Sequence, residues 1–308
     1  MRVCSDGRVS DVIDSRAVSE SDPAALRAVA VTVALEAAAH VRRRRAELFG
    51  SARPLGGEGN AVQTKSTDTD PVTIADTESE DLIRSRLGQL RPGDGFLGEE
   101  SGGSHGAGEG GVGEAGVQWV VDPIDGTVNF VYGIPAYAVS VAARIGGVSV
   151  AGAVVDVASG DLYSAAAGLG ATCTDADGGV TTLRCTPVSD LGLALVATGF
   201  SYSAERRAIQ GRLVAELLPR VRDIRRMGAA ALDLCMVASG RVDAHYEHGL
   251  NPWDWAAGAL IASEAGAEVR LPTGFGDHGE IMTAAASGVA DEFAAVLAEI
   301  GAAGPVPA

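Results

Sequence analysis

The chain has 308 residues, 46% of them hydrophobic, with a formal net charge of −16 and a pI near 4.7. That length and apolar content support one large or two packed domains and exclude a disordered chain. The acidic balance excludes nonspecific nucleic-acid binding, which needs a basic face to neutralise phosphates. The cysteines at 4, 173, 185 and 235 include no C-x-x-C pair, so neither a zinc cluster nor a disulfide framework is expected. The first 22 residues are polar and acidic, with no apolar core of a signal peptide. No apolar run is read as a membrane span. A cytoplasmic protein without a membrane partner is the resulting expectation.

Residues 1–22 lack periodicity and read as a mobile tail. From Ala24, the residues Leu26, Val29, Val33, Ala37 and Val41 recur at helical spacing, predicting a helix to about Phe49. Arg42 to Arg45 read as its solvated last turn, with a binding patch as the alternative. In the stretch from Lys65 to Asp76, Thr73 predicts a helix cap and Asp76 the third helical position of a capping box. Residues 94–97 form a short strand candidate that delivers Gly98-Glu99-Glu100, a solvated acid pair or part of a metal site. Residues 102–116 are Gly-rich and read as a flexible surface loop, without the spacing of a nucleotide P-loop.

Trp119-Val120-Val121 predicts the end of a buried strand, and Pro123 is expected to stop its ladder for want of an N–H. The chain then turns at Asp122–Gly126 and brings out two carboxylates. Crowded carboxylates repel unless a cation lies between them, although Asp and Gly also suit a plain Asx-type turn. Segments 137–145, 148–155, 161–165 and 170–174 predict an antiparallel meander. Beyond residue 190, strands at 193–198, 221–224, 242–246 and 281–285 alternate with helices at 204–218, 228–239, 252–265 and 289–300. This pattern marks an α/β second half. No internal repeat is visible. Asp254 falls in the first turn of a helix begun by Pro252. His245 and His248 read as surface or packing residues, since no Cys or third His is near enough in sequence for zinc.

Four motifs stand in order: Lys65 to Asp76, Gly98-Glu99-Glu100, Asp122-Pro123-Ile124-Asp125-Gly126-Thr127, and Trp253-Asp254-x-Ala256-Ala257-Gly258. Together they resemble the inositol monophosphatase family of Mg²⁺-dependent phosphatases, over about residues 25 to 300. The run from Val128 to Pro135 and the segment 250–255 resemble its actinobacterial members. The resemblance implies a layered αβαβα sandwich of the inositol monophosphatase and fructose-1,6-bisphosphatase type. Its N-terminal α+β half would span 23–185 and its C-terminal α/β half 186–308, with the site between them. It implies that Glu99, Asp122, the Ile124 carbonyl and Thr127 hold one Mg²⁺ and the attacking water. Asp122, Asp125 and Asp254 would hold a second ion, with Glu100 assisting a third, weaker one. Asp76 would pair with Thr127 and help take the proton from the water. Gly126 and Thr127 N–H groups would hold phosphate oxygens. Gly228, Ala230 and Glu247 would line the substrate pocket, Glu247 accepting from polyol hydroxyls, alongside Asp125 and Asp254.

The chemistry agrees with these implications. Phosphomonoester hydrolysis needs strong charge stabilisation. The sequence holds no Cys-x5-Arg nucleophile and is rich in acids that suit hard cations. Val128 and Ala229 depart from the Thr or Ser of many relatives, and the 102–116 loop is longer than usual. The expected activity is hydrolysis of myo-inositol monophosphate. Fructose-1,6-bisphosphate, histidinol phosphate and 3′-phosphoadenosine nucleotides are alternative substrates. A non-catalytic regulator that binds a phosphorylated ligand is the alternative of another class. Lithium sensitivity and a homodimer are further family expectations.

Overall fold

The structure, a computed structural model, describes residues 21–50, 62–64, 71–101, 116–274 and 279–306. The expected tail (residues 1–20), Lys65 and most of the Gly-rich loop (residues 102–115) lie outside these. α1 (Pro23–Phe49) starts at Asp22, whose carboxylate accepts Ala25 N–H at 3.3 Å, with Pro23 in the first turn. Leu26, Ala30, Val33, Ala37 and Val41 form its buried stripe. The helix is long and apolar enough to cross a membrane, contrary to the sequence reading, but here its stripe packs on a sheet. Of Arg42 to Arg45, which precede the last turn, Arg42 and Arg43 are exposed as expected, while Arg44 and Arg45 are half-buried. Arg42 Nε donates to Val157 O, Arg44 pairs with Glu78, and Arg45 lies over the Phe49 ring.

β1 (Val62–Thr64) and β2 (Pro71–Thr73), both unforeseen, form an antiparallel pair leading into α2 (Ile74–Leu90). The predicted capping box is present: Asp76 Oδ2 accepts Thr73 N–H at 2.9 Å. β3 (Gly95–Gly98) then pairs in parallel with β4 (Val117–Asp125). After β4 come the short α3 (Thr127–Tyr132) and the meander β5 (Ala138–Ile145), β6 (Val148–Asp156), β7 (Leu162–Ala166), β8 (Ala171–Thr174) and β9 (Val180–Thr182). Sheet order follows the chain, from β3 to β9, with antiparallel pairing beyond β4. All nine β4 residues are buried, as expected of a strand covered on both faces. Pro123 does not end this strand. The register slips between Asp122 and Asp125, and the bulge absorbs the missing donor.

The remaining elements are β10 (Leu195–Thr198), α4 (Ala204–Leu217), β11 (Asp223–Arg225), α5 (Ala230–Ala238), β12 (Ala244–His248), α6 (Pro252–Glu264), β13 (Ala267–Arg270), β14 (Ile281–Ala286) and α7 (Ala290–Glu299). Their sheet runs β11-β10-β12-β14-β13. β10 is parallel to both its neighbours and β14 antiparallel to both of its own, so this sheet is mixed. Three apolar cores separate five layers. One lies between α1/α2 and the seven-stranded sheet. The second encloses α5 and α6 between the two sheets, and the third lies between the five-stranded sheet and α4/α7. This is the αβαβα stack that the family resemblance implies.

The middle layer dictates its own composition. A helix between two sheets has no solvent face, and eight of the nine α5 residues are buried. Close helix contact also demands small residues. A Cβ on Gly258 of α6 would stand 2.8 Å from Leu234 Cβ and 3.2 Å from Ala231 O of α5. Gly88 of α2 faces open space. Urea denaturation should therefore show opposite signs: Gly258→Val costs ~2–4 kcal/mol by overpacking, whereas Gly88→Ala gains ~0.5–1 kcal/mol from helix propensity.

Candidate active site

Four carboxylates come from four separate elements. Glu99 follows β3, where its N–H donates to Val121 O at 3.2 Å. Asp125 ends β4, Glu247 lies near the end of β12, and Asp254 sits in the first turn of α6. All four line one cavity of about 210 Å³ at the meeting of the two sheets. Gly126, Gly228 and Ala230 line it too, as does the Arg226 cation. Asp122, Ile124 and Thr127 flank the cavity-lining pair Asp125-Gly126, and Asp76 reaches Thr127 from the first turn of α2. Glu100 does not line this cavity, and its backbone N–H donates to Glu80 Oε2 at 2.8 Å.

The turn is built from side chain to backbone. Asp122 Oδ1 accepts Ile124 N–H at 3.0 Å. Gly126 adopts φ 86° and precedes α3, where a Cβ would press on Ala136 O at 2.9 Å. The Thr127 hydroxyl stands 3.1 Å from Asp76 Oδ1 and 3.0 Å from Ile124 O, two acceptors for one proton. Asp76 Oδ2 meanwhile accepts Thr73 N–H and, at 2.6 Å, its hydroxyl. Asp76 thus caps α2 with one oxygen and engages Thr127 with the other. Asn129 adds a tie that sequence reasoning missed: its amide donates to Ala136 O at 2.7 Å and Met227 O at 2.8 Å.

Asp125 Oδ2 accepts Ala231 N–H at 2.7 Å, in the first turn of α5. Burial, reinforced by the Glu99 charge, nonetheless raises the Asp125 carboxyl to about 7. Asp254 is pushed well above the usual carboxylate range by burial and by the charges of Glu99 and Asp125. Its Oδ2 accepts Asn251 N–H at 2.6 Å. Glu247 rises to about 8, mainly by burial, with Arg226 opposing. Among the described residues, no three His, Cys, Asp or Glu side chains are drawn together closely enough to hold an ion. Like charges at one cavity keep apart. The donors are nevertheless all oxygen and destabilised by mutual repulsion, which suits a hard divalent cation. Arg226 was not singled out in the sequence, although a basic pair just before Gly228 is a visible signal. His245 and His248 are both buried, at 0% and 3% exposure, so neither is a surface residue.

The inositol monophosphatase family profile matches residues 22–301. An inositol-1-monophosphatase of Mycobacterium leprae is 60% identical over 291 residues, covering 94% of this chain and 99% of that protein. A Nus factor SuhB of Vibrio cholerae is 36% identical over 242 residues, covering 77% and 86% respectively. The solved Mycobacterium tuberculosis SuhB matches with a TM-score of 0.76 at 52% identity, covering 92% of this chain and 99% of that one. With the acid-lined cavity, the layered fold and this similarity over nearly its whole length, the chain belongs to the inositol monophosphatase family.

Proposed function

We propose that this chain hydrolyses myo-inositol monophosphate to inositol and phosphate with the help of Mg²⁺. One observation carries the reading: Glu99, Asp125 and Asp254 share a cavity with Glu247 while the Asp76–Thr127 pair adjoins its Gly126. Glu99, Asp122, the Ile124 carbonyl, Thr127, Asp125 and Asp254 would hold two ions, with Glu100 assisting a third. When bound, Mg²⁺ supplies Lewis acidity that lowers the pKa of a water and offsets charge on the phosphoryl oxygens.

The chain's own groups supply the rest. With its proton turned toward Asp76, the Thr127 hydroxyl presents lone pairs to a water and orients it. Asp76 then offers the acceptor toward which that water's proton moves through Thr127. Gly126 and Thr127 N–H groups would face phosphate oxygens. Glu247, across the cavity, accepts from two neighbouring hydroxyls of a polyol. Arg226 adds a positive charge to the pocket wall, favouring an anionic ester.

The regulator alternative has one observation behind it, the Vibrio cholerae relative named Nus factor SuhB. Such a role would tolerate loss of an acid, yet Glu99, Asp122, Asp125 and Asp254 are all present. Phosphate release from inositol 1-phosphate, fructose-1,6-bisphosphate, histidinol phosphate and 3′-phosphoadenosine nucleotides decides between the readings. Inositol 1-phosphate is expected to lead the panel, with activity lost in EDTA and restored by Mg²⁺. Faster turnover of histidinol phosphate, or no turnover of any ester, would overturn the proposal. Asp122→Asn is expected to lower kcat on the order of a hundredfold or more with an unchanged melting temperature. Glu247→Gln should raise KM for inositol 1-phosphate about tenfold relative to phenyl phosphate, which has no hydroxyls to bind.

A further inference from the structure

Behind Glu247 lies a line of buried polar groups that the hydrolytic chemistry leaves unused. β12 presents His245 and Glu247 on one face, two residues apart, toward α5. His245 is fully buried and Asp233 of α5 is 1% exposed. His245 Nδ1 stands 3.9 Å from Asp233 Oδ2, and His245 Nε2 stands 4.0 Å from Glu247 Oε2. Both Asp233 oxygens and both His245 nitrogens lack a hydrogen-bond partner.

Packing does not account for this arrangement. The strand neighbours of His245 are Ala197 and Ala284, and an apolar ring would fill the same space without burying two polar atoms. Each unpartnered buried polar atom costs about 1–3 kcal/mol. Such a cluster persists in a folded core where its atoms have a task. Both gaps exceed a hydrogen bond by about 1 Å, a distance that small side-chain rotations close. Glu247 is itself seated: a Cβ on Gly199 would overlap its carboxylate, so glycine there makes room for it.

We propose that Asp233 and His245 are positioning residues that orient the Glu247 carboxylate toward the hydroxyl groups of a polyol phosphate. The inference rests on the reading of Glu247 as the polyol contact. Asp233 engages Nδ1, which leaves the Nε2–H of the imidazole to donate to one Glu247 oxygen. The other oxygen then faces the cavity in a fixed direction. Protonation agrees. Burial, followed by the charges of Glu247 and Asp125, pushes the Asp233 carboxyl well above its usual range. Burial brings His245 down to about 3. Burial favours the neutral form of both groups, and with Asp233 donating to Nδ1 the ring proton lies on Nε2, facing a Glu247 oxygen that accepts it whether that acid is ionised or neutral.

The test compares kcat/KM for inositol 1-phosphate with that for phenyl phosphate in the full chain with Mg²⁺. His245→Phe should lower this ratio about tenfold through KM, with its melting temperature maintained. His245→Gln, whose amide can reach the same oxygen, should recover most of the ratio. If the Phe variant does not fold, Asp233→Leu reads the same ratio. An unchanged ratio in the variant that folds, or an equal fall for both substrates, would overturn the proposal. The two readings fail differently. If Glu247→Gln leaves the ratio intact, the polyol assignment itself has failed. If Glu247→Gln collapses the ratio and His245→Phe does not, only the positioning role falls.

Discussion

The carboxylate of Asp125 leaves the end of β4 and accepts Ala231 N–H in the first turn of α5, 106 residues away. The residue before α5, Ala229, offers no capping side chain, so the helix takes its cap from the end of β4. The bond ties the seven-stranded sheet to the middle helical layer at the cavity, and it sets opposing demands on one group. The helix N-terminus favours the ionised carboxylate, while burial and Glu99 disfavour it strongly enough to hold the pKa near 7. An acid under such tension is a natural partner for a cation. The same strain extends to Asp254, which caps α6 through Asn251 N–H and feels the charges of Glu99 and Asp125.

These acids meet only because the middle layer is thin. Gly258, Ala256 and Ala257 let α6 approach α5 and the seven-stranded sheet, and larger side chains would separate the sheets carrying Asp125 and Glu247. Asp76 shows the same economy at smaller scale. Its sequence context suited either a helix cap or a partner of Thr127, and the structure places one oxygen at each. A carboxylate has two acceptors, so the alternatives were compatible.

Much of the fold was legible in the sequence. The stripe of α1, the capping box of α2 and the meander announce themselves through local periodicity and caps. The elements that escaped notice are short or exposed. β9 is exposed throughout, β13 is four residues long with an exposed edge, and β1 and β2 have three residues each. None is long enough for a period to show. Pro123 misled because a bulge tolerates a residue without a donor. Arg44 and Arg45 misled because the partners that half-bury them, Glu78 and the Phe49 ring, lie outside the arginine run.

By itself the sequence determined the identity of the acids, their order and the strand-end or helix-start setting of each, since these follow from neighbouring residues. It also determined the layered architecture through its pattern of strands and helices and its resemblance to one family. Tertiary structure alone decided which acids share a cavity, that Asp125 caps α5, that the Glu100 backbone N–H meets Glu80, and that Asp233 and His245 stand behind Glu247. The reason is physical. Caps and periods are local interactions, readable within a few residues. Burial, desolvation and the repulsion of like charges depend on distances through space, and only the folded chain sets those.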